Sequence, residues 1–189
     1  MKKTAIILSL FFLASAFTAV TVWKNDKAHS QLTFTVTHLG VSDVSGVFND
    51  FDVNIESTKP DFSDAVFALN AKVASIDTRI EARNNHLKSG DFFDAAKYPE
   101  LTFKSTSIKK TGKDAYKLTG NLTLHGITKE VTMNLQYRGL IENPMSKKPT
   151  AGFQLTGTIK RSDFGLGNGF PAPMISDDVR IKADGEFAQ

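Results

Sequence analysis

Apolar and polar residues alternate with a period of two over most of the chain, as in strands that bury one face and wet the other. Leu32, Phe34 and Val36 alternate with Gln31, Thr33, Thr35 and Thr37, and Phe51, Val53 and Ile55 with Asp52, Asn54 and Glu56. The same beat runs through Phe67, Leu69, Ala71 and Val73, then Leu101 and Phe103, then Tyr116, Leu118, Leu122 and Leu124. It continues in Val131, Met133, Leu135 and Tyr137, in Phe153, Leu155 and Ile159, and in Val179, Ile181, Ala183 and Phe187. That predicts an all-β chain of about eight strands. The polar turn from Lys110 to Asp114, with Gly112, and the two-residue turn His125-Gly126 join antiparallel neighbours. Such a sheet either folds into a sandwich or closes into a barrel. Closure removes both edges, so a barrel is expected.

One segment departs from this beat. Ile76, Ile80, Arg83 and Leu87 follow helical spacing, with Ser75 as N-cap, Asp77 placed for the helix dipole, Lys88 in the last turn and Gly90 as the stop. A short piece from Asp91 to Tyr98 follows and ends at Pro99. This short helical insertion falls between strands three and four, where it can cover one mouth of the barrel. It carries Phe92 and Phe93, adjacent aromatics that cannot share one helical face. Either the second packs on a neighbouring loop, or the pair forms an apolar lid.

The inward row decides whether such a barrel is filled. It holds many small residues: Ala71, Ser105, Gly120, Gly139, Ala151, Gly157, Ala183 and Gly185. Small residues on an inward face leave volume for a slender ligand. The alternative is that these glycines relieve strain where strands bend sharply.

The start of the chain changes the charge balance. Lys2 and Lys3, the apolar run from Ala5 to Ala14 and the small residues Ala14-Ser15-Ala16 have the order of a secretory signal peptide. Residues 1–16 are expected to be removed, leaving residues 17–189 as one domain outside the cytoplasm, periplasmic or secreted. The apolar run is short of the ~20 residues that a membrane-spanning helix needs. Without the two signal lysines, 21 Lys and Arg face 20 Asp and Glu, which offers no basic stripe for nucleic acid. The chain has no cysteine, so disulfides contribute nothing to its stability, and there is none to carry a lipid anchor.

The sequence offers no catalytic set. His29 and His38 are placed nine residues apart on one strand and on opposite faces, too far to share an ion. His86 in the helix and His125 in a turn add no close zinc spacing, so no metal and no cofactor are expected. Gly40-Val41-Ser42-Asp43-Val44 lacks the second glycine of a nucleophile elbow. Gly165, Gly167 and Gly169 precede Pro171 and Pro173 instead of a helix that could seat a phosphate. Lys109, Lys110, Lys113 and Lys117 cluster at one hairpin, either as a solvated turn or as a basic patch for transient contact with an anionic membrane surface.

Several segments occurring in order resemble the YceI-like, polyisoprenoid-binding family. They are HSQLTFTVTHLG (His29 to Gly40), SIDTR (Ser75 to Arg79), HLKSGDFFD (His86 to Asp94) with KYPELTFKS (Lys97 to Ser105), LTLHGITKEV (Leu122 to Val131), RSDFGL (Arg161 to Leu166) and ISDDVRI (Ile175 to Ile181). Glu130 stands where the family often has proline. The resemblance implies an eight-stranded antiparallel lipocalin-like β-barrel, often a homodimer, with an isoprenoid, quinone or other long-chain lipid in its pore and no catalytic residues. The expected lining is Phe34, Val36, Leu69, Phe103, Leu118, Leu122, Met133, Leu135, Phe153 and Leu155, with Phe92, Phe93 and Phe164 near a mouth. The competing class is a secreted enzyme that acts on a lipid-like substrate with loop residues such as Arg161 and Asp163.

Overall fold

The computed structural model describes residues 19–189 of the protein, so the expected signal segment lies outside the described residues. Every strand joins one antiparallel sheet that closes on itself. The first stave is β1 (Thr21–Asn25) continued by β2 (Gln31–His38), and the second is β3 (Ser42–Phe48) continued by β4 (Phe51–Ser57). They run side by side, with Leu32 opposite Phe48 and Trp23 opposite Ile55. Then come β5 (Val66–Lys72), a two-residue β6 (Ile76–Asp77) that only extends the edge of β3, and helix α1 (Glu81–Lys88). The remaining staves are β7 (Glu100–Gly112), β8 (Ala115–Leu124), β9 (Ile127–Glu142), β10 (Pro149–Lys160) and β11 (Asp178–Ala188). β11 closes the ring by pairing with β2 along Arg180–Asp184 and with β1 at Phe187 and Ala188. The result is the expected eight-stave barrel with its short helix between staves three and four.

The period-two rows all face the predicted way, but the chain enters the sheet earlier than they indicate. β1 turns only Trp23 fully inward, and β3 has Gly46 in its inward row, so neither carries a clear apolar beat. Between β1 and β2 the stave turns a corner through a 3-10 turn, Lys27–His29, capped by Asp26 Oδ1, which accepts from Ala28 N at 2.8 Å. His29 therefore sits on that turn and not on the strand with His38. The helix start also differs from expectation. Ser75 belongs to a 3-10 turn, Asp77 to β6, and α1 begins at Glu81 with no side-chain cap at Ile80. The approach to the helix is instead organised from inside it by Asn84. Its Oδ1 accepts from Thr78 N (2.7 Å) and Thr78 Oγ1 (2.6 Å), while its Nδ2 donates to Asp77 Oδ1 (3.0 Å).

One end of the barrel is plugged by aromatics. Phe62 is 1% exposed, from the loop between β4 and β5, and packs on Trp23, Tyr137 and Phe153 with ring centroids 5.4, 5.2 and 5.0 Å away. Its backbone φ of 56° is left-handed, a conformation costing roughly 1–2 kcal/mol that the buried ring offsets. Asp64 staples the same loop. Burial pushes its carboxyl up, but Ser57 Oγ (2.6 Å), Thr58 Oγ1 (2.5 Å) and Thr58 N (3.0 Å) donate to it and outweigh that, holding it at about 2 instead of 3.8. A lowered folded-state value means the staple's stability is complete above pH 3.8 and is lost as the pH falls through about 2. Asp64→Asn should cost about 1 kcal/mol at neutral pH, a figure kept small by solvent screening. The difference in melting temperature from the wild type should close in that acid window. A difference independent of pH would show that the carboxylate charge is not what holds the loop.

Candidate functional site

The barrel axis is hollow. A cavity of about 500 Å³ runs from the aromatic plug to the end covered by α1. That lies within the roughly 300–1,000 Å³ of small-molecule sites. Its wall is the inward row of the staves: Leu32, Phe34 and Val36 from β2, Leu69 from β5, Leu101 and Phe103 from β7, Leu118 and Leu122 from β8, Met133 and Leu135 from β9, Phe153 and Leu155 from β10. Phe34, Val36, Leu69 and Leu155 are only half-buried although they point inward, because the surface they expose belongs to the cavity.

Of the small inward residues, Gly120 and Gly157, and with them Gly46, are closely approached by a neighbour, whereas a Cβ on Gly139 would meet nothing within 4 Å. A Cβ on Gly120 would fall 2.6 Å from the Phe103 ring, one on Gly46 2.4 Å from Phe34, and one on Gly157 1.9 Å from Met133 Sδ. These positions let a large neighbour lie flat against the wall. The open volume that results is on the axis.

At the covered end Phe92 and Phe93 both line the cavity and both are buried, in turns after α1. Phe93 packs edge-on to Phe48 at 6.0 Å. Phe92 stacks on Phe170 at 5.1 Å and meets His86 edge-on at 5.0 Å. Gly167 fits only as glycine here, since its φ is 63° and a Cβ would lie 2.5 Å from the Phe92 ring. Met174, 45% exposed, and His38 complete this end of the lining and mark where the cavity meets the surface. Phe164, expected near the mouth, lies outside the cavity. It is 1% exposed in the 3-10 turn Arg161–Phe164, with its carbonyl oxygen 3.1 Å from His125 Nδ1.

Arg161 is the buried charge at this end, 7% exposed. Its guanidinium donates only to backbone carbonyls: Nε to Ser176 (3.1 Å), Nη1 to Leu166 (2.8 Å) and Gly167 (2.7 Å), Nη2 to Phe170 (2.5 Å) and Ile175 (3.1 Å). All five donors are satisfied, which pins the 164–177 loop over the barrel. With every donor engaged by the loop, removal of Arg161 is a test of folding.

Sequence spacing also concealed a side-chain cluster on the barrel's outside. Asp26, His29 and Glu186 bring one ligand atom each to within 4.8 Å of one another, since β11 closes beside the β1–β2 corner. His29 Nδ1 lies 2.9 Å from Asp26 Oδ2, and that bond raises the imidazole's pKa and lowers the carboxyl's. None of the three lines the cavity. The lysine hairpin between β7 and β8 projects from the plugged end, where Lys110 reaches Asp61 at 3.9 Å and Lys117 donates to Asn134 Oδ1 at 2.7 Å.

The family model of the YceI-like domain matches residues 23–187. The chain belongs to the YceI-like family. A UPF0312 protein of Staphylococcus aureus is 38% identical over 167 residues, covering 86% of this chain and 95% of that protein. Among solved YceI-type barrels, Burkholderia cenocepacia BcnA superposes with a TM-score of 0.78 at 27% identity, over 87% of this chain and 99% of its own. A domain from Saccharophagus degradans, described as polyisoprenoid-binding and implicated in plant cell wall breakdown, superposes with a TM-score of 0.66 at 18% identity, over 90% of this chain and 99% of its own. At that identity the likeness is one of fold.

Proposed function

We propose that this YceI-like protein is an exported binding protein that holds a polyisoprenoid or similar long-chain amphiphile inside the barrel, and that it is not an enzyme. The observation that carries this reading is the axial cavity, closed by aromatics at one end and lined almost wholly by aliphatic and aromatic side chains. Burial of apolar ligand surface at about 25 cal/mol per Å² supplies the affinity, reduced by the ordering of a flexible tail. The description of the Saccharophagus domain as polyisoprenoid-binding agrees with it. Outside the cytoplasm such a protein would shield its cargo from water. The lysine hairpin lies opposite the cavity mouth, so a lysine-led approach to an anionic membrane would leave the mouth pointing away.

Displacement of an apolar fluorophore from delipidated protein by polyprenols of increasing length tests the proposal. Affinity should rise with each isoprene unit until the cavity is full and then level off. Polyprenols that displace nothing at any length would overturn it.

A further inference from the structure

Five residues with ionisable side chains are among those that line the cavity: His38, Arg83, His86, Arg161 and Asp184. Two of them are fully engaged elsewhere. Arg161 is saturated by carbonyls, and Asp184 is held by Gln154 Nε2 (2.8 Å), Arg138 (3.4 Å) and Lys182 (3.6 Å). His86 Nε2 lies 3.1 Å from Asp91 Oδ2. Arg83 is different. Its Nε donates to Thr78 Oγ1 at 2.9 Å and its Nη2 to the Thr78 carbonyl at 2.8 Å, which fixes the plane of the guanidinium. Among the described residues its Nη1 has no hydrogen-bond partner, and no carboxylate forms an ion pair with it.

An arginine stays charged at any physiological pH. A half-buried arginine on the wall of an apolar cavity, clamped in orientation and with no carboxylate paired to it, is free to receive an anion. The clamp is itself braced, because Thr78 is held by Asn84, which in turn is held by Asp77. His86 follows Arg83 by three residues on α1, on the same helical face, and places an imidazole at this end of the lining.

We infer that the cargo carries an anionic oxygen head group, a phosphate ester or a carboxylate, which seats on Arg83 beneath α1 while the apolar tail fills the barrel. The inference rests on the carrier function proposed above and narrows its ligand: a neutral quinone or alcohol of equal tail length lacks this contact.

The test is competition against an apolar fluorophore in delipidated protein, using a polyprenyl monophosphate and the polyprenol of the same length. Palmitate and hexadecanol form a second pair. In the wild type the phosphate should compete roughly 10- to 100-fold better than the polyprenol, the worth of a charge-assisted hydrogen bond to an ionised partner. Arg83→Met should bring the phosphate down to the polyprenol's level and leave the polyprenol unchanged, which also shows that the variant is folded. Arg83→Lys, which keeps the charge without the fork, should fall between. A matching advantage of palmitate over hexadecanol would show that the site takes oxyanions in general, and an advantage confined to the phosphate would narrow it to phosphate esters. Equal affinity of phosphate and polyprenol in the wild type overturns the inference and leaves the carrier function standing. So does an Arg83→Met loss shared equally by both. Failure of every ligand to bind the wild type overturns the carrier function as well.

Discussion

Arg161→Ala is expected to destabilise the protein by on the order of 4 kcal/mol, the largest effect of a single polar substitution in this fold. The side chain is buried, and its five donors satisfy the carbonyls of Leu166, Gly167, Phe170, Ile175 and Ser176. Truncation strands those carbonyls in a loop that packs Phe170 on Phe92. Arg161→Lys should recover less than half of the loss, because an ammonium has three donors and cannot span five acceptors. Chemical denaturation of the three proteins measures both differences. The loop should loosen first, so hydrogen exchange should rise along residues 164–177 before it rises in the staves. Stability unchanged by Arg161→Ala would show that the guanidinium network is dispensable.

Phe103→Asp should abolish ligand uptake. Phe103 lies mid-wall, opposite Leu69 on β5 and Leu122 on β8, with its ring flat over Gly120. A carboxylate there faces an apolar cavity with no cation in its register neighbours, at a cost of on the order of 3 kcal/mol to the fold. Where the variant folds, the charge and the water it draws in should exclude an apolar tail. Phe103→Leu, which keeps an apolar wall, should still take up fluorophore and ligand. The outcome that contradicts a ligand-holding interior is a folded Phe103→Asp protein, shown by its circular dichroism, that binds lipid as the wild type does.

These two residues also show what the sequence made legible. Phe103 belongs to a row whose alternation announced its face, as did the inward rows of the other staves. The axis had to be apolar because one face of every stave was. Where alternation is weak, the edges of the pattern blurred. β1 buries a single tryptophan, and β3 spends an inward position on Gly46, so the first two staves looked shorter than they are. Arg161 stood out only as part of a family segment and as a candidate for loop chemistry; its structural role was hidden because its partners are backbone carbonyls, which carry no residue identity. Arg83 showed only as one position in a helical repeat. The role proposed for it rests on what Thr78 does to its guanidinium and on the lack of a paired carboxylate among the described residues. Asp26 and His29 meet locally across their turn, but Glu186 joins them only because the last stave closes against the first, a contact that local spacing cannot encode.

The hollow interior has a further physical consequence. Inward side chains that are half-exposed to a cavity lose part of their burial energy, so the empty barrel should be less stable than the filled one. The plug of Phe62, Trp23, Tyr137 and Phe153 and the loop pinned by Arg161 hold the two ends while the middle stays open. Rigid ends with an open axis suit a binder whose specificity lies in the length and the head group of its ligand.

The most direct measurement is mass spectrometry of an organic extract from the natively purified protein. A long-chain amphiphile, a polyprenyl species foremost, is expected at about one molecule per chain. A clean extract from protein that also refuses added isoprenoid would contradict it, and the function would then have to be sought on the outer face of the barrel.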